Sequence, residues 1–157
     1  MKDKITQPKS PLGNTLKTWQ KSSIADFFKR RRFNLIDKLS GGLVKNNQPI
    51  KILEVGCGQG VDFLRYAQPF GHKIVGLDIN NRSEILKIGD NISFIQGCLT
   101  QQNFKKQEFD LVISLGTLEH IKPISYLNKI TYEINRISKN AILMVPSIST
   151  ILEPHTL

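Results

Sequence analysis

The stretch ILEVGCGQGVDFL, Ile52–Leu64, decides the fold. A short apolar run, broken only by Glu54, leads into three glycines spaced two apart, Gly56, Gly58 and Gly60, and an amphipathic run follows at once. Ile50–Val55 reads as a buried parallel strand, because the run is short, apolar and closed by a glycine turn. Such a turn invites close approach by a ligand. The missing Cβ atoms permit positive φ, and the helix that follows aims free N–H groups and a partial positive charge at whatever is bound. The turn suits a carboxylate, a phosphate or a similar group.

Outward from this turn the pattern alternates. VDFLRYAQPF, residues 61–70, reads as a helix closed by Pro69 and Gly71. His72–Asp78 is a second strand, residues 82–89 a short helix, Asn91–Gly97 a third strand and Phe109–Leu115 a fourth. Ile124–Ser138 sets Ile124, Leu127, Ile130, Ile134 and Ile137 three and four apart, an amphipathic helix. Asn140–Pro146 is a fifth strand. This order predicts an α/β, Rossmann-like, doubly wound and mostly parallel sheet of five strands with helices on both faces. Ligands of such sheets sit outside the carboxyl ends of the strands, where strand order reverses. Gly56–Gly60, Asp78–Asn80, Gly97–Leu99 and Ser114–Thr117 all follow strands.

The spacing narrows the ligand. The dinucleotide fingerprint needs a third glycine one position later than Gly60, and the Lys-Ser/Thr of a P-loop is absent. Cys57 lies between glycines, without the acid and histidine order of a nucleophile elbow, and reads as a small residue in a tight turn. Asp78 ends the second strand eighteen residues beyond Gly60. An acid ending a buried strand is costly without a partner, and one placed here accepts from the hydroxyls of a ribose. A charged head, a ribose and a base are the parts implied.

The 157 residues suit one domain with a core of its own. A basic arm over residues 1–20, with Pro8, Pro11 and Gly13, reads as flexible, and residues 21–157 as the domain. Trp19 reads as a core-packing residue. A helix is expected over Ser23–Val44. Net charge is +9, of which residues 1–50 carry +8. Lys29–Arg32 within that helix suits an anionic substrate, nucleic acid or lipid headgroups, or a solvated face. The two cysteines form no metal-like cluster, no apolar run spans a bilayer, and the first residues lack a secretory signal, so a cytoplasmic protein is expected.

ILEVGCGQG, VGLDIN, FDLVISLGTLEHI and AILMVPS resemble, in order and spacing, the motifs of class I S-adenosylmethionine-dependent methyltransferases, most of all the small-molecule group that includes the ubiquinone-biosynthesis enzymes. The resemblance runs from Ile52 to Ser147. It implies that Glu54, Gly56, Cys57, Gly58 and Gly60 surround the methionine part of S-adenosyl-L-methionine. It sets Asp78 on the ribose, Ile79 on the adenine, Cys98 and Leu99 at the adenine edge, and Leu115 near the sulfonium. One departure stands out: the family often has Asp where this chain has Cys98, so the acceptor for the adenine amine is lost unless backbone near Leu99 supplies it.

The implied reaction is in-line displacement of an activated methyl onto a small-molecule acceptor held in a dry pocket. An oxygen acceptor needs a base, and His120, after the fourth strand, is the candidate, with loop orientation as its alternative role. His155 is a substrate-side candidate from the resemblance. Gly116 stands where metal-binding relatives carry an acid, so no metal is expected. The full family fold adds two strands, whereas about ten residues follow Pro146. The reading is therefore of a C-terminally truncated domain whose fifth strand is an apolar edge, covered by a missing segment or a partner, with low activity in isolation. A non-catalytic S-adenosylmethionine-binding or interaction module, and an RNA methyltransferase, are the alternatives.

Overall fold

The computed structural model describes residues 23–45, 48–60 and 62–146. The arm over 1–20, Trp19, His155 and the segment after Pro146 lie outside the described residues. The elements, in chain order, are α1 (Ser23–Leu39), β1 (Lys51–Val55), α2 (Phe63–Ala67), β2 (Lys73–Asp78), β3 (Ile92–Gln96), β4 (Phe109–Leu115), α3 (Ile124–Ile137) and β5 (Ser138–Met144). All the pairings are parallel, in the order β3-β2-β1-β4-β5.

Strand side chains alternate between two cores. Ile52, Ile74 and Leu111 meet α1 and α2 through Phe33, Ile36, Phe63 and Leu64. Leu53, Val75, Leu77 and Val112 meet α3 through Ile130, Ile134 and Ile137. Helices thus cover both faces, as a parallel sheet requires. Phe33 of α1 stacks on Tyr66 of α2 at 4.4 Å between ring centroids. Buried His72 joins the start of β2 to the α1–β1 connection: Ile50 N–H donates to Nδ1, which leaves Nε2–H to donate to the Val44 carbonyl.

Several boundaries move. The first helix stops at Leu39 rather than Val44, because Gly42 N–H donates back to the Asp37 carbonyl at 2.8 Å and the chain turns before a 3-10 turn at Leu43–Lys45. Only Phe63–Ala67 of the expected second helix is α, and Gln68–Phe70, with Pro69, tightens to 3-10. The expected helix over 82–89 is likewise a 3-10 run, Ser83–Ile88. β5 begins at Ser138 rather than Asn140, with no loop after α3, and Ser138 Oγ donates to the Ile134 carbonyl at 2.7 Å. β5 is an edge in the described sheet, with Leu143 and Val145 exposed.

Candidate functional site

The chain leaves β1 toward β2 and β3, then crosses to β4 and β5 on the other side. The turns after β1 and β4 therefore diverge, and a crevice opens between them. A cavity of about 220 Å³ lies there, lined by the Gly56–Gly60 turn, the Leu115–Thr117 turn and the side chains of Glu54, Asp62 and Arg32. A larger, shallower hollow of about 390 Å³ runs along the outer face of α3 from Thr100 to Tyr132 and contains no residue of the glycine turn.

Two glycines define the cavity floor. Gly56 has φ of 74°, and a Cβ there would lie 2.1 Å from Thr117 Oγ1. The two turns approach so closely that Gly56 is required by packing. Gly58 has φ of 52°, but a Cβ there would meet nothing within 4 Å. Bare backbone at Gly58 faces open space, as a ligand cradle requires. Gly56 and Cys57 N–H groups both donate to the Leu77 carbonyl, at 2.8 and 3.1 Å, which pins the turn to the end of β2. Ser114 Oγ donates to the Val55 carbonyl at 3.0 Å and fixes β4 beside β1.

Glu54 is 5% exposed, and its Oε2 has no hydrogen-bond partner among the described residues. Burial first, and the charge of Asp62 second, hold its carboxyl well above the usual carboxylate range. An unpartnered acid in a cavity wall is a receptor for a cationic N–H donor. Across from it, Lys29 Nζ sits 3.0 Å from Asp62, while Arg32 Nη1 is 3.9 Å from the same carboxylate. Lys29 is thus the closer partner of Asp62, and Arg32 the more distant cation in the cavity wall. The Cys57 thiol is pushed up to about 12, by burial and then by Glu54 and Asp78, and is no nucleophile.

Asp78 joins the next element to this floor. Gly58 N–H donates to its Oδ2 at 3.0 Å, and Asn80 N–H to its Oδ1 at 2.9 Å. Ile79, the next residue, is 71% exposed, an apolar side chain with no cover. Cys98 shares hydrogen bonds with Tyr126 Oη and, at 3.4 Å, with Thr100 Oγ1. Burial opposes the thiolate, but the hydrogen bonds of Thr100, Tyr126 and the Thr100 and Leu99 backbone prevail, and the thiol lies below its ordinary value. The Leu99 side chain is 2% exposed in the second core, so only its backbone can face a ligand.

Of the sequence-derived candidates, Glu54, Gly56, Cys57, Gly58, Gly60 and Leu115 thus share one cavity, and Asp78 is bonded to its floor. His120 is not in the cavity wall. It ends the 3-10 turn Leu118–His120, its side chain is 65% exposed, and Nε2 lies 3.9 Å from Glu119 Oε1. Arg32, Asp62 and Thr117 are wall residues that sequence alone did not single out individually. The basic run Lys29–Arg32 was a signal for the first of them.

An open parallel sheet with a glycine cradle and an acid at neighbouring strand ends defines a Rossmann-like nucleotide-ligand fold. More narrowly, the chain belongs to the methyltransferase domain family, whose model matches residues 26–146. It is 32% identical over 79 residues to a sterol 24-C-methyltransferase of Yarrowia lipolytica, covering 45% of this chain and 21% of that protein. The chain spans about a fifth of the length of the curated relatives it matches. Among solved structures it is similar to the PH0226 protein of Pyrococcus horikoshii, with TM-score 0.67 and 24% identity over 87% of this chain and 61% of that one. It is also similar in fold to the 1,6-didemethyltoxoflavin-N1-methyltransferase of Burkholderia thailandensis, crystallised with S-adenosylhomocysteine, with TM-score 0.53 and 17% identity over 85% of this chain and 62% of that one.

Proposed function

We propose that this chain is an S-adenosylmethionine-dependent methyltransferase domain that passes a methyl group to a small-molecule acceptor. The observation that carries the reading is the pairing of an orphaned, buried Glu54 with a Gly58 backbone tied to Asp78, around one cavity. An amino acid joined to a nucleoside needs both ends of that arrangement. Family membership and the sterol and toxoflavin enzymes among its relatives favour a small acceptor over a macromolecule.

The residues fit the cofactor by chemistry. Glu54 accepts from the ammonium, Arg32 pairs with the carboxylate, and the Gly58 cradle admits the methionine chain. Asp78 accepts from the ribose hydroxyls, and exposed Ile79 receives the face of the adenine. Bound S-adenosylmethionine supplies a methyl already activated by its sulfonium. The chain then has only to orient the acceptor and exclude water, which Leu115 and the Thr117 turn do from the β4 side.

Calorimetry with S-adenosylhomocysteine tests the reading. Saturable binding that Asp78→Ala weakens sharply supports it. No binding of S-adenosylhomocysteine or S-adenosylmethionine at millimolar concentration, with the fold intact by circular dichroism, overturns it.

A further inference from the structure

We propose that the outward face of α1 docks on an anionic lipid bilayer. The helix has two apolar stripes where a surface helix needs one. The inward stripe, Phe33 and Ile36, is buried in the first core. On the opposite half, Phe28, Leu35 and Leu39, spaced seven and four apart, are 56%, 46% and 63% exposed. Phe27, 60% exposed, packs edge to face on Phe28 at 5.6 Å.

The cations divide by side. Lys29 and Arg32 face Asp62, and Lys45 holds Asp37 at 3.4 Å. Arg30, Arg31 and Lys38 are exposed and make no ion pair among the described residues. The outward half of α1 thus carries the apolar stripe of Phe28, Leu35 and Leu39 along one border, with Phe27 and the uncompensated cations Arg31 and Lys38 beside it and Arg30 farther round. An interfacial helix has this composition: aromatic and leucine side chains enter the acyl boundary while arginines meet lipid phosphates. Charge complementarity selects an anionic surface. The exposed phenylalanines and leucines select a bilayer over nucleic acid, whose phosphates would neutralise the arginines and leave four apolar side chains in water.

The face has a bearing on the cavity. Arg32, one turn beyond Phe28, is in the cavity wall. A bilayer against Phe28 and Leu35 therefore lies beside the cavity, where an acceptor carried in the membrane is within reach. That last step rests on the proposed methyl transfer; the docking itself does not.

The test is partition of the full chain onto vesicles, measured by co-sedimentation, with phosphatidylcholine alone and with about a quarter phosphatidylglycerol. Binding to the anionic vesicles is expected at least about tenfold tighter and largely lost in about 0.5 M salt. Arg31→Gln with Lys38→Gln is expected to weaken it about twenty-five-fold, about fivefold for each cation. Phe28→Ser with Leu35→Ser is expected to weaken it at least about tenfold. Both pairs lie outside the cavity wall, so S-adenosylhomocysteine affinity and the melting transition report separately on the cofactor reading and the fold. Equal binding to both vesicle types overturns the proposal, as does wild-type binding by either variant. A 20-nucleotide RNA that binds more tightly than the vesicles also overturns it. So does a dimer that Phe28→Ser with Leu35→Ser disperses, which would make a second copy the occupant.

Discussion

The Gly58 amide and the Asp78 carboxylate, twenty residues apart in the chain, are joined by a 3.0 Å hydrogen bond. The bond ties the turn after β1 to the end of β2, and Asn80 N–H holds the other carboxylate oxygen at 2.9 Å. The carboxylate is therefore fixed before any ligand arrives, with lone pairs remaining on both oxygens. Preorganisation of this kind lowers the cost of ordering on binding.

Replacing Asp78 by Ala removes an acceptor from two backbone amides and, in the proposed cofactor site, from both ribose hydroxyls. Each lost amide bond costs about 1 kcal/mol of stability. Two charge-assisted bonds to the ribose are worth about 3 kcal/mol or more together, so S-adenosylhomocysteine affinity should fall about 100-fold or further. Calorimetry and thermal melts separate the two effects. Unchanged affinity in a folded variant would remove Asp78 from the cofactor site.

Gly56 and Gly58 should respond in opposite ways to alanine. At Gly56 the new methyl would stand 2.1 Å from Thr117 Oγ1, so Gly56→Ala should destabilise the fold by about 3 kcal/mol or more. At Gly58 nothing lies within 4 Å, and only the positive φ is penalised, by about 1 kcal/mol. Gly58→Ala should therefore melt close to wild type yet bind S-adenosylhomocysteine poorly, because its methyl occupies the cradle. A Gly58→Ala protein with wild-type affinity would show that no ligand approaches the backbone there.

How far the sequence could be read follows from where each signal resides. β4 has the boundaries expected of it, Phe109–Leu115, because Leu111, Val112 and Ile113 at its centre are apolar and buried on both faces, and only Asp110 and Ser114 interrupt the run. β5 does not, because polar Ser138 and Lys139 on an edge strand carry no strand signal, so the helix was read through Ser138 and the strand only from Asn140. The glycine turn and Asp78 are local patterns and were legible. Thr117 was not, since its role is to fill the space beside Gly56, 61 residues earlier in the chain. Arg32 was visible only as one cation among four. Helix rotation is what turns it and Lys29 toward Asp62 and leaves Arg30 and Arg31 outward.

The two thiols should differ sharply in reactivity. Cys98 is half-buried with its pKa lowered, whereas Cys57 is buried with its pKa pushed up to about 12. Because the thiolate is the reacting form, iodoacetamide at neutral pH should label Cys98 first and Cys57 only on unfolding. Peptide mapping by mass spectrometry reads the order. S-adenosylhomocysteine should slow labelling of Cys98 if its adenine lies where the resemblance sets it. Equal rates at the two positions in the native protein would contradict the environments described.

Glu54 links binding to pH, and the sign can be worked out. Its folded pKa is raised above the ordinary 4.5 by burial and by Asp62. Below that value both folded and unfolded chains carry the proton, and Glu54→Gln should melt with wild type. As pH rises past 4.5 the unfolded chain releases the proton and the folded chain keeps it. Wild type then loses stability at about 1.4 kcal/mol per pH unit until the folded pKa is reached. Glu54→Gln lacks this slope, so it should be the more stable protein at neutral pH. An ammonium bound beside Glu54 pulls the pKa back down, and binding must expel the proton. Wild-type affinity for S-adenosylhomocysteine should therefore climb by up to about tenfold per pH unit across the same window. Calorimetry in buffers of different ionisation enthalpy should detect the released proton. In Glu54→Gln the affinity should be lower and flat with pH, with no proton released. A variant that binds as tightly as wild type, or that is the less stable of the two at neutral pH, would mean that Glu54 serves the fold rather than the ligand.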